Sequence, residues 1–457
     1  MEEREFFELI TDLLAANKLP LLRKLLEESN VVDIAVAASN LTTEQLLRVF
    51  RILPKDISSS VFSYLDPDDQ TRLVESITDK ELEALIDEMY IDDTVDFLEE
   101  VPANIVRRVL ARADSQTRSI INRFLNYPED SAGSIMTIEM VELHDHYTAK
   151  RAIEYIRETG CDKETVYTCF VIDAQRHLIG SVDLKDLLFC KESETVGDIM
   201  DNERALISVT TTDDREEVAE IARKYDLLSV PVVDNENRLV GIITIDDIID
   251  VMEEAATEDI EKMHMLLPSE DDYLKTGVFT LVKNRIVWLL VLMVSATFTS
   301  QIITGFEDKL AAIAGLTASI PMLTGTGGNA GNQVSSLIIR GIALGKIGIT
   351  DYFKVLWKEI RVAVICGGAL AVANLGRMFL VRLVTGGEVA TSVFIVTSLA
   401  MMLSVIAAKA IGCSLPIIAK LLKADPAVMS GPMLATLVDI ITLLIYFGLA
   451  NVMLVNV

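Results

Sequence analysis

One carboxylate stands where carboxylates are rarely found. Asp439 lies about a third of the way along the apolar run 433–455, MLATLVDIITLLIYFGLANVMLV, and is the only charge in it. A spanning helix needs about 20 apolar residues, so the run is long enough to cross a bilayer. A charged group at that depth costs about 2.5–3.5 kcal/mol on insertion scales and normally faces a bundle interior or a water-filled path. Its bland role would be an interhelical hydrogen bond with Ser, Thr or Lys409, which also lies in an apolar run. About a hundred residues earlier, residues 321–333 read PMLTGTGGNAGNQ within another membrane-length segment. Glycines and side-chain amides at membrane depth predict an interrupted helix with its backbone opened toward a cavity. Together the two segments predict a polar pathway for a cation.

The polar groups available there are oxygens. They are the Asp439 carboxylate, the amides of Asn329, Asn332 and Gln333, and backbone carbonyls near Gly325, Gly431 and Ala435. No Cys, His or Met is grouped with them. An oxygen-only set suits hard cations such as Mg2+, Ca2+ or Mn2+. Mg2+ dehydrates reluctantly, and one carboxylate among small residues (Gly328, Gly431, Ala435) leaves room for a hydrated ion, which favours Mg2+. Copies of Asp439 brought together around the axis of a homo-oligomer would repel unless a cation sat between them.

The rest of the chain must position this pathway. The 457 residues carry a formal charge of −27, yet their mean hydropathy is +0.37. Residues 276–457 hold 13 Lys+Arg and 7 Asp+Glu, leaving 28 basic and 61 acidic residues in 1–275. A soluble, strongly acidic part therefore precedes a membrane part. That acidity excludes nucleic acid as a partner and favours cations. The five cysteines form no CxxC and no secreted-type framework. His144 and His146 alternate as on one face of a strand, too few ligands for zinc. The start, MEEREFFELITDLLAANK, is an acidic amphipathic helix without a basic lead or apolar core. The acidic part is thus expected in the cytosol.

Residues 1–130 show apolar positions at three- and four-residue spacing, broken at Leu53-Pro54, Asp66-Pro67, Ile91-Asp92-Asp93 and Val101-Pro102. This predicts an α-superhelical N domain of short helices. Residues 131–255 repeat internally, as 131–192 and 193–255. Ser134-Ile-Met136 returns as Asp198-Ile-Met200, and residues 178–188 (LIGSVDLKDLL) return as 239–249 (LVGIITIDDII). Each copy reads helix, strand, turn, strand, helix, with strands over 168–172 and 229–233. Residues 256–283 predict a charged connecting helix into the membrane. Residues 284–457 hold five apolar segments, near 284–305, 310–340, 360–384, 389–418 and 431–455. The basic loops are 340–361 and the one near 420, with Lys420 and Lys423. The opposite ends receive Glu307-Asp308-Lys309 and Gly386-Gly387-Glu388. The positive-inside rule then places the N-terminal part in the cytosol and the C-terminus outside a cell membrane crossed five times.

The repeat resembles a tandem pair of CBS domains, most sharply at Ser229-Val-Pro-Val-Val-Asp234, and such pairs often bind adenine nucleotides. The whole order resembles the MgtE family of magnesium channels. Residues 325–333 (GTGGNAGNQ) are similar to its second-span signature and 425–439 (DPAVMSGPMLATLVD) to its last-span signature. The resemblance implies a multidomain membrane protein with an α-superhelical N domain, an α/β tandem CBS pair, a connecting (plug) helix and a five-helix α transmembrane domain. It implies a homodimer with its pore at the subunit interface, in which Asp439 binds a hydrated Mg2+ helped by Asn332 and the Ala435 carbonyl. Gly431 departs from the Asn the family leads one to expect before Pro432.

The acidic part suggests a gate. Packed like charges repel, and a divalent cation between facing carboxylates favours the compact form. If compaction draws the connecting helix across the pore mouth, cytosolic Mg2+ closes the channel. Candidate sensing carboxylates are Asp92, Asp93 and Asp96 in the N domain, Asp226, Asp246, Asp247 and Asp250 in the CBS pair, Glu258 and Asp259 on the connecting helix, and Asp425 before the last span. The family resemblance matches Asp226, Asp250, Glu258 and Asp425 to sensing positions and sets Asp92 or Asp93 opposite Asp247. Asp246 and Asp247 could also cap the helix beginning near Asp247. Two other classes compete. An ion-coupled secondary transporter of Mg2+ or other divalent cations would use a broken second span. A nucleotide-sensing regulator with a membrane anchor would leave both membrane motifs without a role. No P-loop supports an ATP-driven enzyme.

Overall fold

The computed structural model describes residues 3–200, 206–269, 273–274, 276–307, 310, 313, 315–385 and 390–454. Asp308, Lys309 and Gly386-Gly387-Glu388 lie outside the described residues. The chain forms two compact units, 1–252 and 253–457.

The first unit opens with ten helices, from α1 (Glu3–Ala15) to α10 (Ser115–Phe124). Their ends follow local chemistry. Thr42 with Gln45, and Thr78 with Glu81, form capping boxes, which satisfy orphan N–H groups at a helix start. Pro54 and Pro102 stand just before α5 (Lys55–Ser63) and α9 (Ala103–Arg112), and Pro67 opens α6 (Pro67–Ser76). These are the breaks expected from sequence. The inner faces meet in one core around Leu22, Leu46, Phe62, Leu73, Leu82 and Val95. There the rings of Phe62 and Phe97 meet edge to face at 5.0 Å. This core continues into Val218, Val230, Val232 and Ile243 of the second repeat.

The two repeats form matching three-stranded sheets. β1 (Glu142–His144), β2 (Thr168–Ile172) and β3 (Leu178–Asp183) form one, and β4 (Val209–Thr210), β5 (Ser229–Val233) and β6 (Leu239–Thr244) the other. In each, the short first strand is parallel to the second and the second antiparallel to the third. The sheets dock pseudo-symmetrically. Leu178 N–H donates to Asn237 O and Leu239 N–H to Arg176 O, both at 3.0 Å. The repeated Ile-Met motifs cross over, Met136 packing on Gly241 and Met200 on Gly180. Each sheet is thus completed by the start of the other copy. β1 ends at His144, so His146 lies past the strand, its ring stacked on that of His144.

α15 (Ile245–Met263) corrects the expected connecting helix. It begins inside the second repeat rather than at 256, and it ends twenty residues before 283. Met265 takes a left-handed φ of 57°, and a backbone in that region leaves the α-helical track.

Among the described residues, the second unit holds five long helices: α16 (Val278–Gly305), α17 (Leu316–Ala343), α18 (Tyr352–Thr385), α19 (Thr391–Leu421) and α20 (Gly431–Met453). Among the described residues, four segments are long and apolar enough to span a bilayer: Val278–Gly305, Ile349–Val384, Thr391–Leu421 and Ala427–Met453. α17 has the length, at 28 residues. Its Gly, Thr, Ser and Asn content keeps its apolarity below theirs. α18 starts eight residues earlier than the expected third span and carries Lys354 and Lys358 in its first turns.

α17 is continuous, which overturns the interruption expected at 321–333. Pro321 falls near its start, where Ser319 and Thr324 hydroxyls donate back to Gly315 and Ile320 carbonyls. The glycines serve helix contact instead of a break. A Cβ at Gly412 of α19 would overlap the Gly331 carbonyl, so the two helices touch through backbone. In lipid a helix must satisfy its own backbone, and small residues let neighbours approach.

Candidate functional site

Asp439 sits half-buried on α20, one turn from Ala435 on the same face. Ala435 lies against Gly328 of α17, and Asn332 is one turn from Gly328. The helices are antiparallel here, because Gly327 meets Val438 and Thr442 while Gly331 meets Leu434 and Val438. Asp439 and Asn332 therefore flank the Gly328–Ala435 contact from opposite sides along the pair. Asn329 is exposed. Among the described residues, nothing hydrogen-bonds or ion-pairs with Asp439. Lys409, its expected bland partner, instead meets Glu359 of α18 at 3.7 Å, both largely buried.

Sequence reasoning named Asn332 but missed three buried hydroxyls of the same unit. Asn332 Oδ1, Ser335 Oγ, Ser404 Oγ and Thr442 Oγ1 are buried with no hydrogen-bond partner among the described residues. They lie on α17, α19 and α20. Isolated hydroxyls in apolar runs give no signal in sequence. Buried polar groups without partners are costly, so such groups are usually met by water or a ligand.

A second group lies in the first unit. α8 (Ile91–Glu100) begins with Asp92 and Asp93, and α15 with Asp246 and Asp247. Asp93 accepts from Ser63 Oγ at 2.9 Å. Asp247 reaches back to accept from Thr244 Oγ1 at 2.7 Å. That is the third-residue partner of a capping box, so Asp247 supports a helix starting at Ile245 rather than capping one at its own position. The two aspartate groups face one another and charge acts between them. Burial, then Asp93 and, more weakly, Asp247 push Asp92 well above the usual range. Burial and then Asp246 and Glu139 raise Asp93. Asp96 keeps solvent on one side, yet crowding and the charge of Asp247 push it to about 7. Burial and Asp246 bring Asp247 to about 6.

Two further carboxylates join this group unannounced. Glu164 is pushed to about 7 by burial, then by Asp246, Asp93 and Asp247, and its Oε2 is buried with no hydrogen-bond partner among the described residues. Its backbone N–H donates to Glu139 O at 2.8 Å, and Glu139 Oε2 accepts from Thr137 Oγ1 at 2.6 Å. Both lie far from Asp246 in sequence, and no spacing announces them. Asp226 and Asp250 are exposed. Asp226 ends α14 (Arg215–Tyr225) in the left-handed conformation, φ 53°, and its charge is not among those acting on the group. Among the described residues, no three His, Cys, Asp or Glu side chains converge closely enough to chelate an ion. The arrangement suits a hydrated divalent cation, or one that draws the carboxylates together.

The third group lies at the end of α15. Lys262 Nζ meets Glu258 Oε1 at 2.6 Å and Asp425 Oδ2 at 2.9 Å. Asp425 Oδ1 accepts from Ala427 N–H at 2.8 Å. Asp259, beside them, is raised by burial and then by Asp425. Burial opposes the Lys262 charge, but the bonds to Glu258 and Asp425 outweigh it and hold the ammonium above its ordinary range. Gly431 explains its departure from Asn. Its φ is +56°, and a Cβ there would overlap the Met263 carbonyl that closes α15.

Comparisons with known proteins agree with this architecture. The family model described as a divalent cation transporter matches residues 320–449. That of the MgtE intracellular N domain matches 29–130, and the CBS domain matches 132–192 and 196–254. The magnesium transporter MgtE of Thermus thermophilus is 34% identical over 437 residues, 95% of each chain. That of Bacillus subtilis is 30% identical over 440 residues, covering 93% of this chain and 95% of its own. The solved soluble part of a magnesium transporter superposes with a TM-score of 0.53 at 28% identity, over 56% of this chain and all of that one. The cytosolic domain of the Mg2+ channel MgtE in complex with ATP gives 0.50 at 32% identity, over 53% of this chain and 98% of that one. With its N domain, CBS pair and apolar helices all matched in order, the chain belongs to the MgtE family of magnesium transporters.

Proposed function

We propose that this protein is a Mg2+-selective channel for magnesium uptake, closed by Mg2+ on its cytosolic side. It acts as a homodimer in the cell membrane, crossing it five times, with residues 1–275 in the cytosol and the C-terminus outside. The observation that carries this reading is Asp439, a carboxylate at membrane depth with no partner among the described residues of its own chain. A second copy across an interface, with a hydrated Mg2+ between the two, offsets a cost the single chain leaves unmet. Asn332 Oδ1 and the Ala435 carbonyl are the further oxygens for that hydration shell, with Asn329 at its edge.

The regulatory ions are assigned to the carboxylate groups. Asp92, Asp93, Asp96, Asp246 and Asp247, with Glu139 and Glu164, repel one another until a divalent cation enters. Binding that favours the compact form shifts the population toward it. Asp226 and Asp250 are assigned to further sensing positions of the CBS pair, and Glu258, Asp259 and Asp425 act at the end of α15. Because the cytosolic domain of an MgtE channel binds ATP, the CBS pair is assigned an adenine nucleotide as a second ligand. The coupled-transporter alternative loses its main support, since α17 is unbroken.

The test is single-channel recording from excised patches while cytosolic Mg2+ is stepped from micromolar to millimolar. Unitary currents that close as Mg2+ rises, and that vanish in Asp439→Ala with folding and dimerisation intact, are expected. Undiminished flux in Asp439→Ala removes Asp439 from the pathway. Uptake into liposomes without unitary currents overturns the channel.

A further inference from the structure

The first three turns of α18 are basic and aromatic on their exposed side. Lys354, Lys358 and Arg361 follow one another at spacings of four and three, so they share one face of the helix. Phe353 and Trp357 flank that face, 77% and 61% exposed. Arg361 lies along Trp357, its Nε–H donating to the Trp357 carbonyl at 3.4 Å and its guanidinium 6.0 Å from the ring centre. α18 has one acid, Glu359, and that acid turns away to the buried Lys409 at 3.7 Å. Among the described residues, Lys354, Lys358 and Arg361 meet no carboxylate. Beyond Arg361 the pattern changes, and from Val364 to Ala373 every exposed side chain is apolar. Arg382 stands 21 residues after Arg361. That is about 31 Å along a helix, which matches a hydrocarbon core of about 30 Å. The two arginines thus mark the edges of the core, and the basic face falls at headgroup level.

We propose that this face of α18 binds an anionic phospholipid of the cytosolic leaflet, with the phosphate among Lys354, Lys358 and Arg361 and the acyl chains along the apolar surface that follows. The inference goes beyond the channel reading and takes from it only that this end of α18 lies at the cytosolic surface. The chemistry asks for both ends of such a ligand. Three cations without a protein counter-ion call for negative charge, and basic residues beside a span are drawn to anionic leaflets. A guanidinium suits a phosphate in particular, because its N–H groups form a fork. A zwitterionic lipid carries its own ammonium and leaves the three charges unmatched. An acidic protein segment would meet the charges but has no use for the apolar surface that continues from them. Phe353 and Trp357 sit where aromatic rings gather, at the boundary between headgroups and chains.

Trp357 is a reporter already in place, since the chain has only one other tryptophan, Trp288. Full-length protein carrying Trp288→Phe is reconstituted in bilayers of equal parts phosphatidylglycerol and phosphatidylcholine, with bromine on the acyl chains of one lipid or the other. Brominated phosphatidylglycerol should quench Trp357 more strongly, with a preference of at least about five-fold, the worth of one basic group beside an anionic lipid. The preference should fall in 1 M KCl, where the screening length shrinks to about 3 Å. It should vanish when Lys354→Gln, Lys358→Gln and Arg361→Gln are combined, with quenching by either lipid then equal. Lys358→Gln alone should lower it, and Lys358→Arg should keep it, so the test does not hang on the triple variant folding. Equal quenching by the two lipids in the parent protein overturns the proposal. So does quenching by neither, or a preference that the charge replacements leave unchanged. The quenching needs no ion flux, so a failure of the channel reading is seen separately in the patch recordings.

Discussion

Adding Mg2+ to the metal-stripped protein should release protons, and the number should depend steeply on pH. In the group between α8 and α15, Asp96 and Glu164 are pushed to about 7 and Asp247 to about 6. At pH 6.5 a carboxyl at 7 is about three-quarters protonated and one at 6 about one-quarter, so these three hold about 1.8 protons per chain. At pH 8 they hold about 0.2. Asp92 and Asp93 are raised as well. A cation that binds the charged carboxylates must expel those protons. Isothermal titration in buffers of different ionisation enthalpy should therefore count about two protons released per chain at pH 6.5 and almost none at pH 8. The apparent Mg2+ affinity should rise over the same range. Stability in EDTA follows with the opposite sense. Each carboxyl is protonated more readily folded than unfolded, so folding takes up protons between about pH 4 and 7, and stability falls as pH rises through that window. For Asp247 alone, the change from its ordinary 3.8 to about 6 corresponds to about 3 kcal/mol. Mg2+ should restore the loss, most strongly at pH 8. Proton release no larger at pH 6.5 than at pH 8, or release unchanged in Glu164→Gln with Asp247→Asn, refutes the assignment of Mg2+ to this group.

Two further outcomes concern the membrane unit. Gly412→Ala should drive α17 and α19 apart, because the new methyl meets the Gly331 carbonyl rather than a movable side chain. Overpacking of this kind costs about 1–3 kcal/mol, read as a lower thermal midpoint in detergent. Lys409→Met and Glu359→Gln should each destabilise by about 3–5 kcal/mol, because each leaves a buried charge alone, whereas the double replacement should cost far less. A double variant as unstable as the sum of the singles would mean the 3.7 Å pair is no interacting unit.

The soluble half was the more legible in sequence. Strands β2 and β5 lie where the β-branched runs 168–172 and 229–233 placed them, because short apolar runs between Asp turns have few other solutions. Pro54, Pro67 and Pro102 marked helix starts because proline lacks the N–H that a helix interior needs. β1 and β4 were not legible. They are three and two residues long, and they are strands only because a neighbour pairs with them. The exchange of Met136 and Met200 between copies was equally hidden, since a repeat in sequence does not say which copy each segment completes. In the membrane the error had one cause. Glycine was weighted as a helix breaker, its role in water, where the backbone can turn to solvent. In lipid that escape is closed, and glycine becomes the residue that lets Gly331 and Gly412 touch.

The candidate site was legible where a residue was chemically out of place and hidden where it became unusual only in company. Asp439 stands alone in an apolar run and needs no partner to be noticed. Glu164 and Lys262 look ordinary in sequence: one acid among 68, and one lysine four residues after a glutamate. Packing separates their roles. Glu164 enters a group whose acting neighbours are all negative, so that group stays open to protons and to divalent cations, and competition between the two sets its response. Lys262 enters a group that it neutralises in part, touching Glu258 at 2.6 Å and Asp425 at 2.9 Å. One group thus carries a cation of its own and the other none, although both are built from the same acidic residue types.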